Sequence, residues 1–413
     1  MTAGEIERLH HDYLMSTYAP GLALVEGSGT SVWDADGNEY LDFVSGIAVT
    51  NIGHCHPKMV RAIQDQVETL VHVSNLFFNE KQPVLAKKLV ECSGLPGAKC
   101  FFSNSGAESN EGLIKLARLW GSEHGKYEII TMRQSFHGRT LATLTATGQE
   151  KVQTGFGPLP EGFIYAGFND LQSVEEAITS KTAAVLVEAL QGEGGVIPAD
   201  REFLSGLREL CDERGILLLC DEVQAGMGRT GKWFGFQNYD IIPDAFSMAK
   251  GLGNGFPIGA IVAGEKLAGL FRPGHHATTF GGTPLACAAA LSVIEVIEEE
   301  ELLSNVRMMG AYFAEGLCEI AMKHKKWISG VRGLGLLLGL VLDVPSAPLQ
   351  KKLQEKGMLA LATAGNVLRL LPPLNVKQEE VDLALRLIGE ACADLHDEMA
   401  GLSPNPCRCG MGE

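Results

Sequence analysis

Gly215-Ile-Leu-Leu-Leu-Cys220-Asp221-Glu222-Val223-Gln224 is the stretch that settles the class of fold. A strand with one wet face alternates apolar and polar side chains. Here the apolar residues run unbroken from Ile216 to Cys220 and stop at an acidic pair. Such a run fits a strand buried on both faces of a mostly parallel sheet. Glu128-Ile-Ile-Thr131 and Ala183-Ala-Val-Leu-Val-Glu188 read in the same way, and helical segments lie between them at Glu108–Trp120 and Arg201–Arg214. This alternation, from about residue 57 to about residue 300, predicts an α/β architecture.

The flanks have a different texture. Residues 1–16 read as a polar lead-in helix, and Ser31–Phe43 as a hairpin turning at Asp36-Gly37. After about residue 300 come an amphipathic helix, a strand pair near Leu334–Val344, a strand at Val367–Leu371 and a final helix at Gln378–Met399. That order predicts a second, smaller α+β unit.

With 413 residues, 46% of them hydrophobic, the chain can bury a large core and predicts two or three domains. Its 49 glycines favour an enzyme with loop-built sites over a helical bundle. A net charge of -16 excludes the basic face that nucleic acid or an anionic membrane needs. The longest apolar run, Gly333–Leu342, is about half of what a helix needs to cross a bilayer. The start Met-Thr-Ala-Gly-Glu-Ile-Glu predicts no secretion signal. Scattered cysteines such as Cys220 and Cys287, set in apolar runs, fit a reducing cytoplasm.

Five segments carry residue types suited to one chemistry. In Ser247-Met-Ala-Lys250-Gly-Leu-Gly, a lysine in an apolar setting can lose its proton and act as a nucleophile. Asp221, at the carboxyl end of its strand, can pair with a protonated ring nitrogen; taken alone it also reads as a helix N-cap. In Asn104-Ser105-Gly106-Ala107-Glu108 a strand leads into a helix whose free amides suit a phosphate, or a simple cap. Phe136-His137-Gly138-Arg139 offers an aromatic to stack on a flat ring and a guanidinium fork for a carboxylate. Thr278-Thr279-Phe280-Gly281-Gly282 sets hydroxyls beside glycines, which suits a phosphate oxygen or a plain turn.

In this order, and together with Gly46-Ile-Ala-Val49 and Gly53-His-Cys-His-Pro57, these segments resemble the class III aminotransferases of fold type I. The likeness runs from about residue 14 to about residue 395. It implies pyridoxal 5'-phosphate as cofactor. With the change of pattern along the chain, the expected division is an N-terminal segment of the small domain over residues 1–56, a large cofactor-binding domain over 57–300, a C-terminal small domain over 301–400 and, outside the likeness, a loose tail over 401–413. Lys250 is similar to the Schiff-base lysine that also carries the proton, and Asp221 to the partner of the ring nitrogen. Ser105, Gly106 and Ala107 are similar to the phosphate cradle, and Phe136 to the stacking aromatic. Val223 resembles the residue that packs on the ring, Gln224 the one near its hydroxyl, and Glu222 is expected beside them. Thr279 is similar to a residue that reaches the phosphate of a neighbouring subunit, which implies a homodimer with shared sites.

Within the class, Phe136–Lys151, Phe168-Asn-Asp-Leu171 and Gln191-Gly-Glu193-Gly-Gly195 most resemble the acetylornithine-type enzymes. These move the δ-amino group of N-acetylornithine to 2-oxoglutarate in arginine biosynthesis. The likeness implies that Arg139 and Arg369 bind substrate carboxylates and that Glu193 pairs with Arg369 while the diamine is bound. Tyr18 and Thr278 are expected at the substrate. Another ω-amine (succinylornithine, ornithine, 4-aminobutyrate or a lysine precursor) is the nearest alternative. An aminomutase would not need the Glu193–Arg369 pair.

Ala189, Asn254 and Thr283 depart from the usual residues of the family, which are proline, glycine and asparagine. The tail Pro406-Cys407-Arg-Cys409-Gly-Met-Gly412 resembles the opening of a small zinc motif but supplies only two ligands, so no metal is expected.

Overall fold

The computed structural model describes residues 1–401, with side chains as far as His396. The tail with Cys407 and Cys409 lies outside the described residues. Seven strands form the central sheet: β1 (Lys99–Ser103), β2 (Glu128–Met132), β3 (Phe163–Ala166), β4 (Thr182–Glu188), β5 (Leu217–Asp221), β6 (Ala245–Met248) and β7 (Gly259–Ala263). Their order across the sheet is β1-β7-β6-β5-β4-β2-β3. β5 runs parallel to both neighbours, Leu219 standing opposite Leu186 and Ala245. β7 alone runs against the rest, antiparallel to β6 and β1.

The apolar run that predicted this sheet has a simple cause. Every residue of β4 and β5 is buried. Successive side chains point to opposite faces: Leu217 and Leu219 enter one cluster with Leu113 and Leu116, Leu218 and Cys220 another with Leu204 and Leu207. The first face is covered by the helix Gly106–Gly121 and the second by the helix Arg201–Arg214. Each buried leucine gains about 1.5–3 kcal/mol, so neither face tolerates the polar residue that an alternating strand would carry. The helix Arg201–Arg214 stops at Gly215, which takes a left-handed conformation at φ 59.

The N-terminal hairpin forms as the sequence predicts. Strands Ser31–Asp34 and Glu39–Asp42 pair with Trp33 opposite Glu39. The Asp34 carboxylate accepts the amides of Asp36 and Asn38 at 3.0 and 2.9 Å, and Gly37 sits at φ 86. The second strand also pairs in parallel with Met358–Leu359, which joins the two ends of the chain in one sheet. The lead-in helix spans Ala3–Tyr13, and the C-terminal strands form an antiparallel set in which Val367–Leu370 lies beside Leu337–Leu342.

The backbone at Asn254 is left-handed, at φ 46, a region asparagine tolerates. Its side chain accepts the Ile52 amide at 2.9 Å and donates to the Gly53 carbonyl at 3.0 Å. No helix among the described residues is long and apolar enough to cross a membrane.

Candidate active site

The carboxyl ends of the strands open into a cavity of about 370 Å³. This is where open α/β sheets place their ligands. β1 leads to Ser105, β4 ends at Glu188, β5 ends at Asp221, and Lys250 follows β6; all four residues line the cavity.

Ser105 caps the helix Gly106–Gly121, its hydroxyl accepting the Glu108 amide at 3.2 Å. The helix therefore starts at the cavity wall and presents the positive end of its dipole there. Only glycine fits at 106: a Cβ would lie 2.7 Å from Val223 Cγ1. Phe136 forms another wall, its amide donating to Glu188 Oε2 at 3.2 Å. The Arg139 guanidinium sits 5.3 Å from the Phe136 ring centre.

Asp221 is buried, and three donors meet its carboxylate, fewer than the roughly four positions at which it can accept. One carboxylate oxygen accepts from Asn110 Nδ2 at 2.7 Å and pairs with His137 Nδ1 at 2.8 Å; the other accepts the Val223 amide at 2.9 Å. Lys250 begins a tight turn at φ 45, a strained backbone that a non-glycine residue holds only when its surroundings demand it. Enclosure of its amine is the main influence and pushes the pKa down. Glu193 pushes it up, Arg369 down, and Asp221 and Glu188 up; the net direction is down. Glu188 goes the other way: burial, then the neighbouring Asp221 charge, raise its carboxyl well above the ordinary range against the Phe136 amide.

At the cavity margin Glu193 Oε1 lies 2.6 Å from Arg369 Nη1. Gln224 joins the pair, accepting from Arg369 at 3.2 Å and donating to Glu193 at 3.3 Å. Burial raises the Glu193 pKa, but Arg369 more than offsets this, with Lys250 and Gln224 adding to its effect, so the carboxyl stays below its usual value.

Five expected residues do not line this cavity: Arg369, which meets it only through Glu193 and Gln224, and Glu222, Thr278, Thr279 and Tyr18. Glu222 departs from the expectation: its two oxygens accept the amides of Gly235 and Phe236 at 2.6 and 2.9 Å, behind the wall. Adjacent residues at a strand end face opposite ways, so Asp221 and Glu222 cannot both point at one ligand. Thr278 and Thr279 line a separate groove with Asn104 and Glu108, and Tyr18 is 83% exposed. Several cavity residues were not among the expected site residues, Asn110, Glu188 and Val49 among them. Asn110 follows Gly106 by four positions and so shares its helix face. Glu188 stands opposite Asp221 in the β4–β5 register, and each ends its strand. Val49 reaches the cavity from Ser45–Ala48, four consecutive residues at φ 49, 61, 68 and 58. Ser45 Oγ anchors this turn to the Leu371 carbonyl at 2.6 Å.

The model of the family described as aminotransferase class III matches residues 15–392. The chain belongs to the class III aminotransferases. This class III aminotransferase is 50% identical over 388 residues to the acetylornithine aminotransferase of Caldanaerobacter subterraneus subsp. tengcongensis, covering 93% of this chain and 98% of the relative. Among solved structures, it superposes on the Toxoplasma gondii ornithine aminotransferase with a TM-score of 0.92 at 31% identity, over 96% of each chain. The N-acetylornithine aminotransferase of Stenotrophomonas maltophilia gives a TM-score of 0.82 at 37% identity, over 95% of this chain and 99% of that one. The α/β fold expected from the sequence is thus the fold of this class.

Proposed function

We propose that this enzyme moves the δ-amino group of N-acetylornithine to 2-oxoglutarate, giving N-acetylglutamate 5-semialdehyde and glutamate. The observation that carries this reading is the Glu193–Arg369 ion pair at the margin of a cavity that also holds Arg139. Two substrates use one site in turn. The acylated diamine brings one carboxylate and glutamate brings two. Arg139 takes the carboxylate of the diamine and then the distal carboxylate of glutamate. Arg369 takes the α-carboxylate of glutamate. Its side chain is fully buried, so with the diamine bound it would be a costly unpaired charge. Glu193, on a glycine-rich loop, neutralises it in that half of the cycle and swings away in the other. The name carried by the 50%-identical relative supports the same substrate.

The donor set fits pyridoxal phosphate, the cofactor the class implies. Ser105, Gly106 and Ala107, at the start of a helix, would hold the phosphate. Phe136 and Val223 would sandwich the ring, Asp221 would pair with its nitrogen, and Gln224 would reach its hydroxyl. When bound, the cofactor supplies an electron sink for the charge left when a carbon loses its proton. Lys250, whose pKa enclosure lowers, would be the nucleophile that holds the cofactor. It also moves the proton from the amine-bearing carbon of the substrate. Glu222 has no part in this, since it points away from the cavity to the Gly235 and Phe236 amides.

The enzyme acts as a homodimer in this reading. Leu76, Phe77, Phe78 and Phe280 are all exposed; Phe280 lines the Thr278–Thr279 groove, and the other three follow closely on Ser74, which lines it too. An apolar surface of this kind is the mark of an interface. Thr279 then serves the site of a second copy. A cytoplasmic, biosynthetic setting belongs to the same proposal.

The test is single-turnover absorbance. The cofactor-loaded protein is mixed with N-acetylornithine, ornithine, 4-aminobutyrate or succinylornithine in the absence of an oxo-acid. Rapid conversion to the amine form of the cofactor with N-acetylornithine is expected. Preference for another amine would rename the substrate and keep the chemistry. No conversion with any amine, glutamate included, would overturn the transferase reading.

A further inference from the structure

Behind Asp221 lies a buried polar cluster. Asn110, on the helix that starts at Gly106, and Ser247, on β6, are both fully buried. Asn110 Nδ2 donates to Asp221 Oδ2 at 2.7 Å and to the His137 carbonyl at 2.8 Å. Its Oδ1 accepts from Ser247 Oγ at 2.6 Å. His137 Nδ1 meets the same Asp221 oxygen at 2.8 Å, while the His137 amide is held by Thr147 Oγ1 at 2.9 Å.

The orientation of the Asn110 amide follows from its partners. Turned over, it would set its oxygen against two acceptors, the Asp221 carboxylate and the His137 carbonyl. The Ser247 hydroxyl, by donating to Oδ1, selects the orientation in which Nδ2 faces Asp221. Removing Asn110 alone would leave the Ser247 hydroxyl and the His137 carbonyl without this partner, and its amide ties Ser247 directly to the Asp221 carboxylate. This chain of bonds therefore ends on Asp221 itself.

We propose that Asn110 is a positioning residue for Asp221. Oriented by Ser247, it fixes the carboxylate so that the cofactor ring nitrogen keeps its proton. This rests on the reading of the cavity as a pyridoxal phosphate site. A protonated ring nitrogen withdraws electrons and lowers the basicity of the nitrogen that links Lys250 to the cofactor. A carboxylate free to turn would hold that proton less well, and the linking nitrogen would become more basic.

The experiment compares Asn110→Leu, Ser247→Ala and the double variant, each loaded with pyridoxal phosphate. The readouts are the pH midpoint of the visible absorbance of the bound cofactor, the Kd for the cofactor, and the split between kcat and KM. Asn110→Leu is expected to raise the midpoint by about one unit, a tenfold change in proton affinity. It weakens cofactor binding about tenfold and lowers kcat more than it changes KM for the amine. Ser247→Ala moves the midpoint the same way by less. The double variant matches Asn110→Leu, because the hydroxyl acts only through the amide. An unchanged midpoint in both single variants, or additive shifts in the double variant, would overturn the proposal. If Asn110→Leu does not fold, Ser247→Ala decides alone: a raised midpoint supports the relay and an unchanged one overturns it. Failure of the native protein to take up pyridoxal phosphate would instead overturn the reading of the site.

Discussion

Glu193 Oε1 lies 2.6 Å from Arg369 Nη1, while Nε and Nη2 of the same guanidinium have no hydrogen-bond partner among the described residues. A fully buried arginine held by one carboxylate oxygen keeps donors in reserve. A substrate carboxylate offering a bidentate fork would compete with Glu193 on better terms.

Opposite effects on the two half-reactions are therefore expected from the two partners. Arg369→Ala should weaken the glutamate half by on the order of 3 kcal/mol, about a hundredfold, and leave the N-acetylornithine half much less affected. Glu193→Gln should slow the N-acetylornithine half and lower the KM for glutamate. Single-turnover rates with each amino donor measure both. An equal loss in both halves for Arg369→Ala would rule out the switch.

Lys250→Ala should lower turnover by on the order of 10⁴-fold or more, since nucleophile and proton carrier are removed together. Sedimentation and circular dichroism should report an unchanged assembly. Ordinary activity in this variant would end the assignment of the lysine.

Gly106→Ala would bring a Cβ to 2.7 Å from Val223 Cγ1. Overpacking of this kind costs about 1–3 kcal/mol, and it falls on the proposed phosphate cradle. Cofactor affinity should drop accordingly and recover in part when Val223→Ala is added. Equilibrium dialysis against pyridoxal phosphate reads both changes. A loss that the second substitution does not relieve would locate the cause elsewhere.

Glu222 offers a test in pH. Burial raises its carboxyl from the ordinary 4.5 to about 8, against the Gly235 and Phe236 amides. The folded protein therefore holds a proton that the unfolded chain releases. The stabilisation is full below about pH 4.5 and is lost as pH rises through about 8. Glu222→Gln should flatten this decline while lowering stability overall, because its amide hydrogens oppose one of the two backbone donors. Urea midpoints across that range decide it; an unchanged slope would mean that Glu222 does not titrate there.

The chain itself determined a good part of this enzyme. Strands buried on both faces must be apolar throughout, so Ile216–Cys220 announced the sheet without any knowledge of what covers it. Chemistry with a fixed cofactor needs particular residue types at short spacing around strand ends. Lys250, Asp221, Phe136 and the Ser105–Ala107 helix start were picked out for that reason, and the fold brings them to one cavity. Tertiary structure decided the relations that span the chain. Arg369 meets Glu193 across 176 positions, a pair the family resemblance implied but no spacing shows, and Ser247 meets Asn110 across 137, which nothing in the sequence pointed to. No local pattern encodes such pairs, because they depend on the order of strands and on which helix face turns inward. The fold also separated two neighbours that looked alike. Asp221 and Glu222 are adjacent carboxylates, yet the strand end sends one to the cavity and the other to two backbone amides. Side-chain direction there is a property of the folded backbone, and composition carries no trace of it.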